Sequence, residues 1–310
     1  MMNKQINLKL LLGLFFIVSL PSCSTLLKSS KITSLTTDYC KPQIRYNFEY
    51  EPEIPLHVYE QEETLRNKLS EKDYVLAKYI GLLPLLTKQT TTKDTLGKLL
   101  IRQQITDRIL IVNTAINAVS AELDCNGERY GQLANFVANI NNKNLRRATV
   151  ASIAIGTVVA ISTSLISDNK TNIGINIAGG AAAAGIGFLT LNPKGKKVAL
   201  TFERSLIANI WNNDNKDKAF PSFLWEILQA KSFSNAGTIS LAENIKQRWL
   251  QYSFDGEIDE KSNELFFKKG GEFTAEDLES ISNMNNELQA SIRTLEQDIL
   301  NLLIVLNRLE

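Results

Sequence analysis

148-ATVASIAIGTVVAISTSLI-166 and 173-IGINIAGGAAAAGIGFLTL-191 are two runs of nineteen residues without a charge, joined by the polar turn 167-SDNKTN-172. Each is about long enough to cross a hydrocarbon core of about 30 Å as a helix rising about 1.5 Å per residue. The second run carries glycines at 174, 179, 180, 185 and 187, and Gly180 and Gly185 have the spacing of the two glycines of a phosphate-binding loop. That loop continues with Lys and then Ser or Thr, which reach the phosphates and the magnesium. Ile186 and Gly187 stand there instead. The segment therefore reads as a helical hairpin over 146–197, and the nucleotide reading is set aside.

Small residues give the hairpin its faces. Ala148, Ser152, Gly156, Ala160 and Ser164 recur at every fourth position of the first run. Gly179, Ala183 and Gly187 do so in the second, with Gly180 and Ala184 beside them. Helices with such faces approach closely, as they do in lipid, where no hydrophobic effect drives them together. The pattern is similar to the glycine-zipper hairpins of some bacterial envelope proteins. Two environments remain open on the sequence: a bilayer, or a pair buried among the helices of a soluble bundle. Asn176 and the many glycines make a poor isolated spanning helix.

The N-terminus sets the compartment. In 1-MMNKQINLKLLLGLFFIVSLPSC-23, Lys4 and Lys9 precede an apolar run and then small residues, the pattern of a secretory leader over 1–22. Leu20-Pro21-Ser22-Cys23 resembles the lipobox of bacterial lipoproteins. That resemblance implies a diacylglycerol on the sulfur of Cys23, which becomes the mature N-terminus. Ser24 stands where an aspartate would mark inner-membrane retention in enteric bacteria, so an outer-membrane address is expected. A hairpin places Arg146-Arg147 and Lys194, Lys196 and Lys197 on one side, which the positive-inside rule would make cytoplasmic. Cys23 is exported, and no odd number of spans lies between it and Arg146. The basic ends are thus expected to stay outside the cytoplasm, against headgroups.

Cys40 and Cys125 are the two cysteines left once Cys23 is lipidated. An even count in an oxidising compartment predicts that they pair. Loss of the leader removes two lysines and no acid from 34 basic and 33 acidic residues, leaving a net of −1. That balance carries no nucleic-acid footprint.

Outside the hairpin the period is helical almost throughout, so the fold class expected is all-α, a multi-helix bundle. Residues 23–60 read as a tether and extended arm, with one alternating stretch, Ile44–Tyr50. Within a helical region over 61–145, Ile101, Ile105, Ile109, Val112, Ile116, Val119 and Leu123 form one stripe. Asp94 is placed to cap its start, and Asn126-Gly127 to end or bend it. Residues 198–252 read as helices carrying Trp211, Trp225 and Trp249 as core anchors, and 253–272 as a loop or small hairpin. The C-terminal segment 273–310 is a coiled-coil-like helix. Thr274 and Asp277 form its capping box, and Phe273 and Leu278 a hydrophobic staple. Leu278, Asn285, Ile292, Ile299 and Leu306 fall at a positions, and Ile281, Leu288, Leu295, Leu302 and Leu309 at d. Packing within the chain against the 101–123 stripe is favoured over a parallel dimer, because Leu300, Leu303, Ile304 and Val305 widen the apolar face beyond what one partner helix covers.

Chemistry is sparse. His57 is the one histidine, beside Pro55, and neither G-x-S-x-G nor H-E-x-x-H occurs. No catalytic residue, metal site or cofactor is expected. The expected function is that of a non-catalytic, lipid-anchored envelope scaffold or tether, bound to the bilayer through Cys23 and residues 148–191 and to an unidentified protein partner or to itself. The alternative is a membrane-active or pore-forming component assembled through the glycine-rich hairpin.

Overall fold

The computed structural model describes residues 26–27, 32–42, 63–166, 168–191 and 195–308. Cys23, the leader, the Ile44–Tyr50 stretch, His57, Lys194 and Leu309 lie outside the described residues. The chain divides into two compact units: a smaller one within residues 1–28 and 140–198, and a larger one within 29–139 and 199–310.

The fold is all-α apart from one two-stranded sheet. Two helical turns, α1 (Thr33–Thr36) and α2 (Glu63–Arg66), precede α3 (Glu71–Tyr79) and α4 (Leu83–Thr91). The longest element, α5 (Thr95–Leu165), has 71 residues, of which those up to Asn139 belong to the larger unit. Asp94 caps it as its position suggested, its Oδ2 accepting the Gly97 N–H at 2.7 Å. The stripe from Ile101 to Leu123 is buried along its whole length, as a period of three and four requires of a core-facing helix.

The helix does not end or break at Asn126-Gly127. A Cβ on Gly127 would lie 2.1 Å from Asn286 Oδ1, so the glycine leaves room for the Asn286 side chain of the C-terminal helix. Tertiary packing there outweighs a helix-propensity cost of about 1 kcal/mol.

That neighbour comprises α11 (Ala275–Arg293) and α12 (Leu295–Arg308). The Ser282 hydroxyl donates to Gly127 O at 2.7 Å, Gln289 Nε2 to Asp124 Oδ1 at 3.0 Å, and Arg102 Nη2 to Asn307 Oδ1 at 3.4 Å. Rising numbers on one helix meet falling numbers on the other, so the two run antiparallel. The heptad seam is satisfied within the chain. Its a and d residues from Leu278 to Leu302 are buried, and Leu306 is half-buried. One residue, Thr294, interrupts the helix with near-helical φ −62° and ψ −24°, so Ile292 and Leu295 stay on the same side. Asn285 does not reach a partner strand, because its Nδ2 donates back to Ile281 O at 2.8 Å. The capping box forms as expected, with Thr274 Oγ1 accepting from Asp277 N and Asp277 Oδ2 accepting from Thr274 N. α12 also meets α3 through Lys72–Asp298 at 2.6 Å and Asn301–Asp73 at 3.0 Å. Leu300 and Ile304 remain exposed, the surplus apolar width noted in the sequence.

Two segments differ from their sequence reading. Val198–Thr201 is a strand, β1, rather than the start of a helix; it alternates buried and exposed residues and pairs with β2 (Gly270–Phe273). The helix expected from residue 197 begins only as α7 (Leu206–Asn212), capped by Ser205. Within the expected loop 253–272, Asp259 caps a further helix, Glu260–Phe267, through Ser262 N at 2.7 Å. This helix delivers Phe266 and Phe267 to the core, which its charged sequence disguised.

The remaining helices, α8 (Ser222–Gln229) and α9 (Leu241–Ser253), flank an aromatic cluster; in chain order the Glu260–Phe267 helix is α10. Trp211 stacks on Phe267 at 4.4 Å and donates from Nε1 to Asn263 Oδ1 at 3.0 Å. Trp249 is fully buried, whereas Trp211 and Trp225 are half-buried.

Candidate functional site

The smaller unit is the hairpin, formed by the end of α5 and by α6 (Asn169–Leu191). Its tip is tied by polar contacts. Asp168 Oδ2 accepts the Thr171 N–H at 2.9 Å, capping α6, and Asn172 Nδ2 donates to Ile166 O at 2.5 Å. Its base is closed by Asn141, whose Oδ1 accepts the Lys196 N–H at 2.7 Å. Leu27 donates its N–H to Lys197 O at 3.0 Å, so part of the N-terminal tether runs beside that base.

Between tip and base the helices meet through small residues, in a different register from the one expected. A Cβ on Gly179 would fall 2.0 Å from Val159 Cγ2; only glycine lets these backbones come so close. Ser152 Oγ lies 3.5 Å from Ala183 O. On the first helix the half-buried positions include Ala148, Ser152, Ile155, Val159 and Ser162; on the second they include Ala178, Gly179, Ala182, Ala183 and Gly187. Gly156, Ala160 and Ser164 are exposed, which corrects their assignment to the contact ridge. A row of residues four apart drifts about 40° per step at about 100° per residue, so by Ser164 it has turned about 160° from Ala148. A seam that keeps facing its partner must alternate steps of three and four, and this one does.

Correspondingly, several hairpin glycines lie off the seam: a Cβ on Gly156, Gly174, Gly180 or Gly185 would meet nothing within 4 Å. The outer surface is apolar and uncovered: Val150, Ile153, Val158, Ile161, Leu165, Ile173 and Ile177 are each more than half exposed. Among the described residues one helix, α5, is long and apolar enough to cross a membrane; none of the residues in its apolar window, of mean hydropathy 1.8, is buried. A pair covered on all sides by other helices would show the opposite exposure.

A second polar constellation lies in the larger unit and was missed in the sequence. The Arg204 guanidinium donates to both oxygens of the Glu122 carboxylate, at 2.7 and 3.0 Å, and to Ala219 O at 2.8 Å. Burial holds the Glu122 carboxyl above its ordinary range, and the Arg204 hydrogen bonds and charge oppose that shift without cancelling it. Two turns on, Arg129 donates to Thr37 O at 2.9 Å, Asp38 Oδ1 at 3.0 Å and Tyr130 Oη at 2.8 Å. The nearby disulfide joins Cys40 to Cys125, with Cα atoms 5.6 Å apart. The signal was a glutamate inside an apolar stripe, at 122 between Val119 and Leu123. These groups spend their bonds on fastening residues 32–42 and the segment after β1 to α5. Among the described residues no group of three or more His, Cys, Asp or Glu could hold a metal.

The hairpin is thus the feature whose exposed surface asks for a partner, and its chemistry must speak for itself, since no family model matches the chain and no curated protein or solved structure is significantly similar to it.

Proposed function

We propose that the protein is a non-catalytic envelope lipoprotein, a scaffold or tether exported by its leader and anchored through a lipid on Cys23, with its apolar hairpin inserted in the bilayer as a second attachment. One observation carries the reading: two charge-free helical runs, 148–166 and 173–191, whose outer side chains, Val150, Ile161 and Ile177 among them, are exposed. In water so large an apolar surface is unfavourable. In lipid it is solvated, and the backbone polar groups are satisfied within the helices. The larger unit, cross-linked and built on long helices, is what such an anchor would present to protein partners at the membrane surface.

The test separates the two attachments. A Cys23→Ala chain, secreted behind a leader that is fully cleaved, is expected to remain with the membranes and to resist carbonate extraction. Quantitative release into the soluble fraction would sink the insertion reading.

The open glycines favour a second reading, in which hairpins of several copies assemble into a membrane-active or pore-forming complex. Gly156 and Gly180 meet nothing inside the hairpin, so Gly156→Leu and Gly180→Leu should leave its own packing intact and raise helix propensity slightly. Where copies pack through these positions, both variants are expected to lose cross-linked oligomers and dye release from vesicles at least ten-fold, at unchanged membrane attachment. Wild-type vesicles that stay sealed would leave the scaffold reading alone.

A further inference from the structure

We infer that the bilayer surface recognised at the base of the hairpin is anionic, and that Lys143, Arg146, Arg147, Lys196 and Lys197 form a collar for its negatively charged headgroups. The inference rests on the reading of the hairpin as a membrane insert, and it specifies which lipid surface that insert selects.

Charge along the chain is sharply segregated. Between Glu128 and Glu203 the one acidic residue is Asp168, at the tip of the hairpin. The segment 140–198 holds seven basic residues, Lys143, Arg146, Arg147, Lys170, Lys194, Lys196 and Lys197, against that single acid, a net of +6. The whole chain carries +1, so everything outside this segment sums to −5. Elsewhere acids and bases are interspersed, as in the pair of Lys268 with Glu264. The stretches 141–147 and 194–197 contain no acidic residue.

The geometry gathers these charges at one level. The bond from the Lys196 N–H to Asn141 Oδ1 holds the returning chain beside the start of the first hairpin helix. Lys143, Arg146 and Arg147 follow Asn141 within two turns, and all three are exposed. The uncharged run begins at once with Ala148 and lasts to Ile166, about 28 Å of helix, close to the thickness of a hydrocarbon core. When the apolar run fills that core, the five basic side chains fall in the near headgroup layer. Lysine and arginine stems there lie along the apolar boundary while their charges reach the phosphates. Each basic residue held near an anionic surface tightens binding several-fold, an effect confined to about one Debye length and therefore weakened by salt. A neutral headgroup layer would leave the same charges without compensation.

Vesicle flotation of the purified Cys23→Ala chain, freed of its leader, tests this. Vesicles of phosphatidylcholine alone are compared with vesicles containing phosphatidylglycerol. Binding is expected to be on the order of 100-fold tighter to the anionic vesicles at low salt, with most of that difference lost at high salt. The triple variant Lys143→Glu, Arg146→Glu, Arg147→Glu, which alters only exposed residues, should keep the wild-type melting curve and lose the preference. Equal binding to both vesicle types would overturn the collar while leaving insertion intact. Failure to float with either would remove the insertion reading and the collar with it, and a triple variant that keeps its preference would overturn the assignment of these residues.

Discussion

Removal of residues 272–310 is expected to abolish folding of the larger unit, not merely an oligomeric contact. The deleted segment carries Phe273, Leu278, Ile281, Met284, Leu288, Ile292, Leu295, Ile299 and Leu302, each at most 3% exposed. At about 2 kcal/mol for each fully buried side chain of this kind, their loss amounts to roughly 18 kcal/mol. That exceeds the roughly 5–15 kcal/mol by which native domains are stable. The loss also strips cover from the other side, where Ile101 to Leu123 of α5 are buried, and it leaves the Gly127 carbonyl without Ser282. The remainder should therefore melt without cooperativity and elute as aggregate. A truncated chain that retains a cooperative transition and loses only oligomeric mass would show that the seam joins two copies.

The seam was legible because two independent signals agreed. The heptad placed apolar residues at nine of ten a and d positions, and Thr274 with Asp277 announced the start of the helix. The α5 stripe was legible for the same reason, since a period sustained from Ile101 to Leu123 has few other solutions. What escaped depended on distant partners. Val198–Thr201 becomes a strand only because Gly270–Phe273 lies beside it; alone, its letters continue into the helical pattern of residues 206–211. Gly127 carries the local signature of a helix end, yet the helix runs through it and the Asn286 side chain of α11 lies over it. In the hairpin the chemical character was plain from the absence of charge and the abundance of small residues. The contact register was not. Every-fourth-residue spacing is conspicuous in letters but spirals around a real helix, so Gly156, Ala160 and Ser164 were assigned to a face that Ile155, Val159 and Ser162 occupy. The pairing of Cys40 with Cys125 followed from compartment and parity alone, whereas the ion pair of Glu122 with Arg204, bridging 82 residues, left only a glutamate in an apolar stripe as its trace.

Replacing both Cys40 and Cys125 by serine is expected to lower stability by about 4 kcal/mol, because the bridge closes a long loop in the unfolded chain. The native contacts around it do not depend on the bond. Ile32 is buried, Arg129 still donates to Thr37 O and Asp38, and Lys41 still reaches Glu203 at 3.0 Å. The segment 32–42 should therefore remain docked in the variant, and the loss should appear as a lower guanidinium midpoint, with an m-value above that of the wild type because the unfolded chain is no longer held compact by the loop. A midpoint equal to that of the wild type, with both thiols open to alkylation in the native wild-type protein, would show that the bridge does not form. The location of the bond gives it a consequence beyond stability. The segment read as tether and arm over 23–60 is already folded at Ile32 and in the turn Thr33–Thr36. Leu27, upstream, is held to Lys197 O at the base of the hairpin, and the bridge of Cys40 with the bonds of Arg129 makes a second, separate fastening at 32–42. Removal of the bridge should therefore loosen the second fastening and leave the first in place.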